Sequence, residues 1–223
     1  MNPMTAPSWP LLVAGVVLTL VPVPAFFPGR VKYRPVEYLE IELRNSSWWN
    51  VWRKLLRTPI HWEELARGFA GMWCLVLALD ELRARDMIRG FTSPWMVMGA
   101  AFAVAALGVL LTFVTLRRKE GAVAPIAYVG AAVFAALPLP VGTLALILAL
   151  STMIAFKSMS AFFWMLAIGL AGFGWLFGYA LVGAAGAGFA ATPWLLAAYQ
   201  QRDFVIPLWQ SRGRREAGSP VAS

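Results

Sequence analysis

Residues 93–116 read SPWMVMGAAFAVAALGVLLTFVTL and are followed at once by Arg117-Arg118-Lys119. No charge interrupts the run, and about 20 helical residues are enough to cross about 30 Å of hydrocarbon. A basic cluster directly behind such a run stops it at the headgroups. The stretch sets the expectation for the whole chain, which is a helical protein built for lipid.

Composition points the same way. Of 223 residues, 60% are hydrophobic and 13% charged, whereas soluble domains are about half apolar and about a quarter charged. A soluble protein this apolar would have no means of covering its surface. The predicted fold class is therefore all-α, a polytopic helical membrane protein with six to seven transmembrane segments and one interfacial amphipathic helix. Residues 1–210 form a single integral membrane domain, and residues 211–223 read as a solvated, disordered cytoplasmic tail.

The expected segments are 10–27, 62–82, 93–116, 122–137, 141–156, 159–182 and a short last one ending near Tyr199. Pro22 and Pro24 bend or shorten the first. It reads as a retained span, because residues 1–9 hold no Lys or Arg and no small-residue cleavage site follows. Pro138-Leu139-Pro140 makes the turn between the fourth and fifth. The run Gly183-Ala184-Ala185-Gly186-Ala187-Gly188 separates the last two. Pro193 leaves the seventh either crossing as a bent helix or dipping into the membrane. The second has an uninterrupted apolar core of only residues 68–79, which suits a re-entrant or interfacial helix as well as a span. Its flanking Glu63, Glu64, Arg67, Asp80 and Glu81 are expected to reach the headgroups.

The net charge is +8, from 19 Lys+Arg against 11 Asp+Glu. With seven spans and an outside N-terminus, residues 30–61, 117–120, 157 and the C-terminal tail face the cytoplasm and hold fifteen of those basic residues. Only Arg83, Arg85 and Arg89 fall outside, so the positive-inside rule selects this orientation. Arg outnumbers Lys fifteen to four in an Ala- and Gly-rich chain, which hints at a bacterial inner membrane. The basic residues sit in short connections and not on a folded soluble face, so nucleic acid is not an expected partner.

The sharpest local pattern is Ser46-Ser47-Trp48-Trp49-Asn50-Val51-Trp52-Arg53-Lys54-Leu55-Leu56-Arg57-Thr58-Pro59. At helical spacing Trp48, Trp49, Val51, Trp52, Leu55 and Leu56 share one face, and Asn50, Arg53, Lys54 and Arg57 take the other. A helix over residues 47–58, capped by Ser47 and ended by Pro59, would lie in the cytoplasmic interface. Its indoles would sit at headgroup depth and its cations would meet anionic phospholipid. The alternative is packing of the same face on the protein's own helices or on a partner. Upstream, residues 38–44 alternate apolar and charged, a strand period.

Catalytic chemistry is hard to find. The chain holds one His and one Cys, too few for a clustered metal site of those ligands. No Gly-x-Ser-x-Gly elbow or phosphate loop occurs, and no cofactor is expected. From Gly121 to Gln201 there is no Asp or Glu, and Lys157 is the one charge. Ion-coupled transport needs ionisable groups within the membrane, which would leave only Glu63, Glu64, Asp80 and Glu81. The charged stretch from Asp80 to Arg89 reads as a solvated helix end with Asp80–Arg83 and Asp86–Arg89 pairs. Gly174 and Gly178 form a small-xxx-small motif suited to close helix packing, within the chain or on a partner.

These features favour a non-catalytic integral membrane subunit or scaffold of a larger membrane assembly, with other membrane subunits as partners. Two alternatives remain: a channel or facilitator for a small solute, and a lipid-modifying enzyme using Asp80, Glu81 or His61.

Overall fold

The computed structural model describes residues 8–22, 31–35, 57–85, 87–88, 93–115, 122–156, 158–200 and 204–209. Among these lie seven helices and one small sheet. In chain order they are α1 (Trp9–Leu20), β1 (Val31–Pro35), α2 (Pro59–Ala84), α3 (Pro94–Thr115), β2 (Ala122–Val123), α4 (Ile126–Ala136), α5 (Leu139–Phe156), α6 (Met159–Leu176), α7 (Ala180–Tyr199) and β3 (Phe204–Trp209). The protein is helical, and four helices, α3, α5, α6 and α7, are long and apolar enough to cross a membrane.

The other three depart from the six or seven full spans expected. At 1.5 Å per residue, the 12-residue α1 and the 11-residue α4 are each less than about 20 Å long, short of about 30 Å of hydrocarbon. The 26-residue α2 is long enough, but it carries Glu63, Glu64, Arg67, Asp80 and Glu81 along its length. α4 starts late because residues 122–123 belong to a strand and Pro125 occupies the cap.

Close approaches fix the helix directions. Gly15 lies against Leu75 and Gly71 against Thr19, so α1 and α2 run antiparallel. Gly169 meets Ala145, which does the same for α5 and α6. Gly174 meets Gly183, and the Trp164 and Trp194 rings are 4.4 Å apart, so α6 and α7 form a hairpin. The turn of that hairpin is Phe177-Gly178-Tyr179, with Gly178 at φ 79° and the Tyr179 N–H donating to the Gly174 carbonyl at 2.6 Å. Such a helix end needs a residue in the left-handed region, which glycine enters without strain. The break expected at residues 183–188 is absent. Those small residues lie inside α7, where Gly183 and Gly186 face α6 and α3.

In the sheet, β3 pairs antiparallel with β1 and parallel with β2. It gathers the segments that follow α1, α3 and α7. The Phe163 and Phe204 rings, 5.3 Å apart, bring the start of α6 to the same end. Each helix pair between these points (α2 with α3, α4 with α5, α6 with α7) thus leaves one face of the molecule and returns to it. The sheet pairs residues distant in sequence, which a local reading does not reveal. The strand period at residues 38–44 and the tail at 211–223 lie outside the described residues.

The core is built from Met72, Leu75, Phe102, Val109, Tyr128, Val129, Phe162, Phe163, Leu166 and Leu170 with a lining of alanines. The outward faces bear large apolar side chains such as Trp73, Leu107, Ile147, Ile168 and Leu195. That pattern belongs to a protein surrounded by hydrocarbon, where the exterior has no need of polarity.

Candidate functional site: a buried polar cluster beside an apolar wedge

α1 stops well short of the sheet-side face. Its Thr19 lies beside Gly108, seven residues before the end of α3, or about 10 Å along that helix. A helix end leaves carbonyls without intrahelical partners, and here the end is partly buried in the bundle, with Thr19 fully so. Arg67 of α2 donates through Nη1 to the Val21 carbonyl. The Tyr128 hydroxyl of α4 donates to the Thr19 carbonyl at 3.3 Å. The guanidinium also lies 4.5 Å from the Tyr128 ring centroid, a cation–π distance. A cation at the negative end of a helix dipole is favourable, so Arg67 and Tyr128 together act as the cap of α1.

Glycines make the approach possible. A Cβ at Gly68 would lie 2.5 Å from the Tyr128 carbonyl oxygen, and one at Gly108 would lie 2.1 Å from that of Thr19. Glu64, one turn before Arg67, is 1% exposed. Neither of its carboxyl oxygens has a hydrogen-bond partner among the described residues; Arg67 is the cation that acts on it electrostatically. Both Glu64 and Arg67 were expected at the headgroups. The structure corrects this, burying both, with Arg67 7% exposed, because the truncated α1 offers the arginine carbonyls to bind. Glu63 and Asp80 are exposed. The signal available in the sequence was the Glu64–Arg67 spacing followed by Gly68 and Gly71.

A second feature lies on the other side of α4. Pro138-Leu139-Pro140 joins α4 to α5, and the two helices touch near that turn, where Gly142 meets Val133 and Phe134. Away from it α5 packs on α6 instead. The gap between the diverging helices is a cavity of ≈ 280 Å³ with walls that include His61, Gly130, Leu146, Leu150, Met153 and Phe162. Its lining is almost wholly apolar. The His61 Nε2 is buried and has no hydrogen-bond partner among the described residues.

Other sequence candidates fall elsewhere. Trp48, Trp49, Trp52, Arg53 and Lys54 lie outside the described residues, while Arg57 is exposed in a turn. Pro59, expected to end the interfacial helix, is the first residue of α2, where its lacking N–H costs nothing. Gly174 faces Gly183 within the same chain, and Gly178 belongs to the turn, so the two do not share a helix face. The Asp80–Arg83 ion pair forms at 2.7 Å, joined by Glu81–Arg85. Asp86 and Arg89 lie outside the described residues. Cys74 is half-buried. Among the described residues no group of three or more His, Cys, Asp or Glu could hold a metal ion.

No family model, curated protein or solved structure matches this chain.

Proposed function

We propose that the protein is a non-catalytic integral membrane subunit or scaffold that docks neighbouring subunits through α7. The observation that carries this is the outward face of that helix. Ala184, Gly188 and Thr192 repeat every four residues, with Ala184 and Gly188 exposed. A Cβ at Gly188 would meet nothing within 4 Å. In lipid, association relies on close packing, and a smooth face of small residues lets another helix approach. The Thr192 hydroxyl back-bonds to the Gly188 carbonyl at 3.0 Å, so the strip presents little unsatisfied polarity. Consistent with a structural role, the buried cation Arg67 is engaged in holding α1 in place.

In this reading α2, together with the short α1 and α4 and the non-helical segments that adjoin them, completes seven crossings alongside the four long apolar helices. The sheet-side face is cytoplasmic, since the connections gathered there adjoin most of the basic residues. A bacterial inner membrane fits the Arg-rich, Ala- and Gly-rich composition. Gly188→Leu tests the assignment when the protein is purified in mild detergent from its native membrane. Co-purifying subunits should be lost while thermal unfolding is unchanged. Retention of every partner in that variant, or a wild-type protein that is monomeric in native membranes, contradicts it.

A further inference from the structure

On α2, two charged-type side chains one turn apart are buried with bonding capacity unspent. Glu64 is 1% exposed, and neither carboxyl oxygen has a hydrogen-bond partner among the described residues. Arg67 donates through Nη1 to the Val21 carbonyl, while its Nε is buried without a partner among those residues. Residues three apart on a helix are neighbours, so the guanidinium has two acceptors within reach and serves one. A carboxylate beside a guanidinium in an apolar bundle would take it, because a charge-assisted bond outweighs one to a neutral carbonyl. A carboxyl that holds its proton makes no such demand, and the arginine is then left to α1. The observed arrangement is the second of these. α1, α3, α4 and β3 pack on α2, and among their described residues Tyr128 is the one titratable side chain. On α2 itself, His61 stands one turn before Glu64, Glu63 is exposed, and Asp80, Glu81 and Arg83 lie at the far end.

We propose that Glu64 is a proton-binding site whose occupancy sets the position of Arg67, and so the hold on the end of α1. With the proton bound, Arg67 donates to the Val21 carbonyl and caps α1. When the proton leaves to water at the sheet-side face, the carboxylate draws the guanidinium into an ion pair, and the Val21 carbonyl loses its donor. The remaining tether is the Tyr128 hydroxyl on the Thr19 carbonyl, and its 3.3 Å is long beside the usual range for such a donor, about 2.5–3.0 Å. α1 is then held more loosely. Glu64 follows Pro59, the first residue of α2, by about 8 Å of helix, which keeps the path of the proton short. The latch does not draw on the docking role of α7.

The test follows α1 directly. In a Cys74→Ser background, cysteines replacing Val17 of α1 and Ile147 of α5, both exposed, carry nitroxide labels. The full chain is placed in phosphatidylcholine nanodiscs, and double electron–electron resonance gives the distance distribution between the labels. The pH is stepped from about 4 to about 9, a window that spans exposed and buried carboxyl groups. The expected result is a narrow distribution at low pH that broadens along a one-proton curve as pH rises. Glu64→Gln holds the narrow form at every pH, and Glu64→Leu serves the same purpose if the first variant does not fold. His61→Gln leaves the curve in place. A distribution that ignores pH in the parent labelled protein, a curve that survives the loss of Glu64, or one abolished by His61→Gln overturns the assignment.

Discussion

Arg67 of α2 donates its guanidinium N–H to the carbonyl oxygen of Val21, just past the end of α1 and 46 residues away in sequence. The contact explains why a charged residue is tolerated inside a bundle whose exterior is apolar. It caps the partly buried end of α1, whose last carbonyls have no intrahelical donors. Glu64 lies one turn away on the same helix, and the Tyr128 ring covers the guanidinium.

Removing one partner of this arrangement strands the other. Arg67→Met should destabilise the protein by about 1–3 kcal/mol, the cost of leaving the Val21 carbonyl without its donor. The double variant Arg67→Met, Glu64→Leu should lose less than the single one, because it also removes a buried carboxyl group that has no hydrogen-bond partner among the described residues. Reversible unfolding in mixed micelles measures both. Additive losses would show that Glu64 and Arg67 are not energetically coupled.

Two glycines of the same helix make opposite predictions. Gly108→Ala places a methyl 2.1 Å from the Thr19 carbonyl oxygen, and forcing α1 and α3 apart should cost about 1–3 kcal/mol or more. Gly99→Ala meets nothing within 4 Å and should raise stability by up to about 1 kcal/mol from helix propensity. Thermal unfolding of the pair checks the packing of α1 on α3, and equal effects would count against it.

The α6–α7 turn depends on the left-handed conformation of Gly178, at φ 79°. Gly178→Val should destabilise the hairpin by about 1–2 kcal/mol, the cost of that region for a side chain. Gly178→Asn should be milder, since asparagine visits the region readily. The same unfolding assay ranks the two, and a valine variant as stable as wild type would refute the turn geometry.

The long uncharged runs were legible because lipid imposes a length and a composition. Residues 93–116 became α3 (Pro94–Thr115), and residues 141–156 fell within α5 (Leu139–Phe156). What failed to show locally depended on contacts between distant segments. The Gly183–Gly188 run read as a break because glycine disfavours helices. In the fold its small surface is what lets α7 approach α6 and α3. The early end of α1 was signalled by Pro22 and Pro24, whereas the shortness of α4 was hidden because β2 forms only by long-range pairing with β3. Glu64 and Arg67 read as headgroup-seeking charges because their partners, Val21, Thr19 and Tyr128, belong to other helices. The wedge at His61 follows from the angle between α4 and α5, which no local pattern encodes.

A helical bundle that crosses lipid has its sheet-side connections all on one face of the membrane. In a Cys74→Ser background, single cysteines replacing Arg118, Lys157, Arg212 and Met87 can be reacted with a membrane-impermeant maleimide from either side of sealed vesicles. Positions 118, 157 and 212 should label from one common side and position 87 from the other. Labelling of 118 and 157 from opposite sides, or of all four from both, would contradict it.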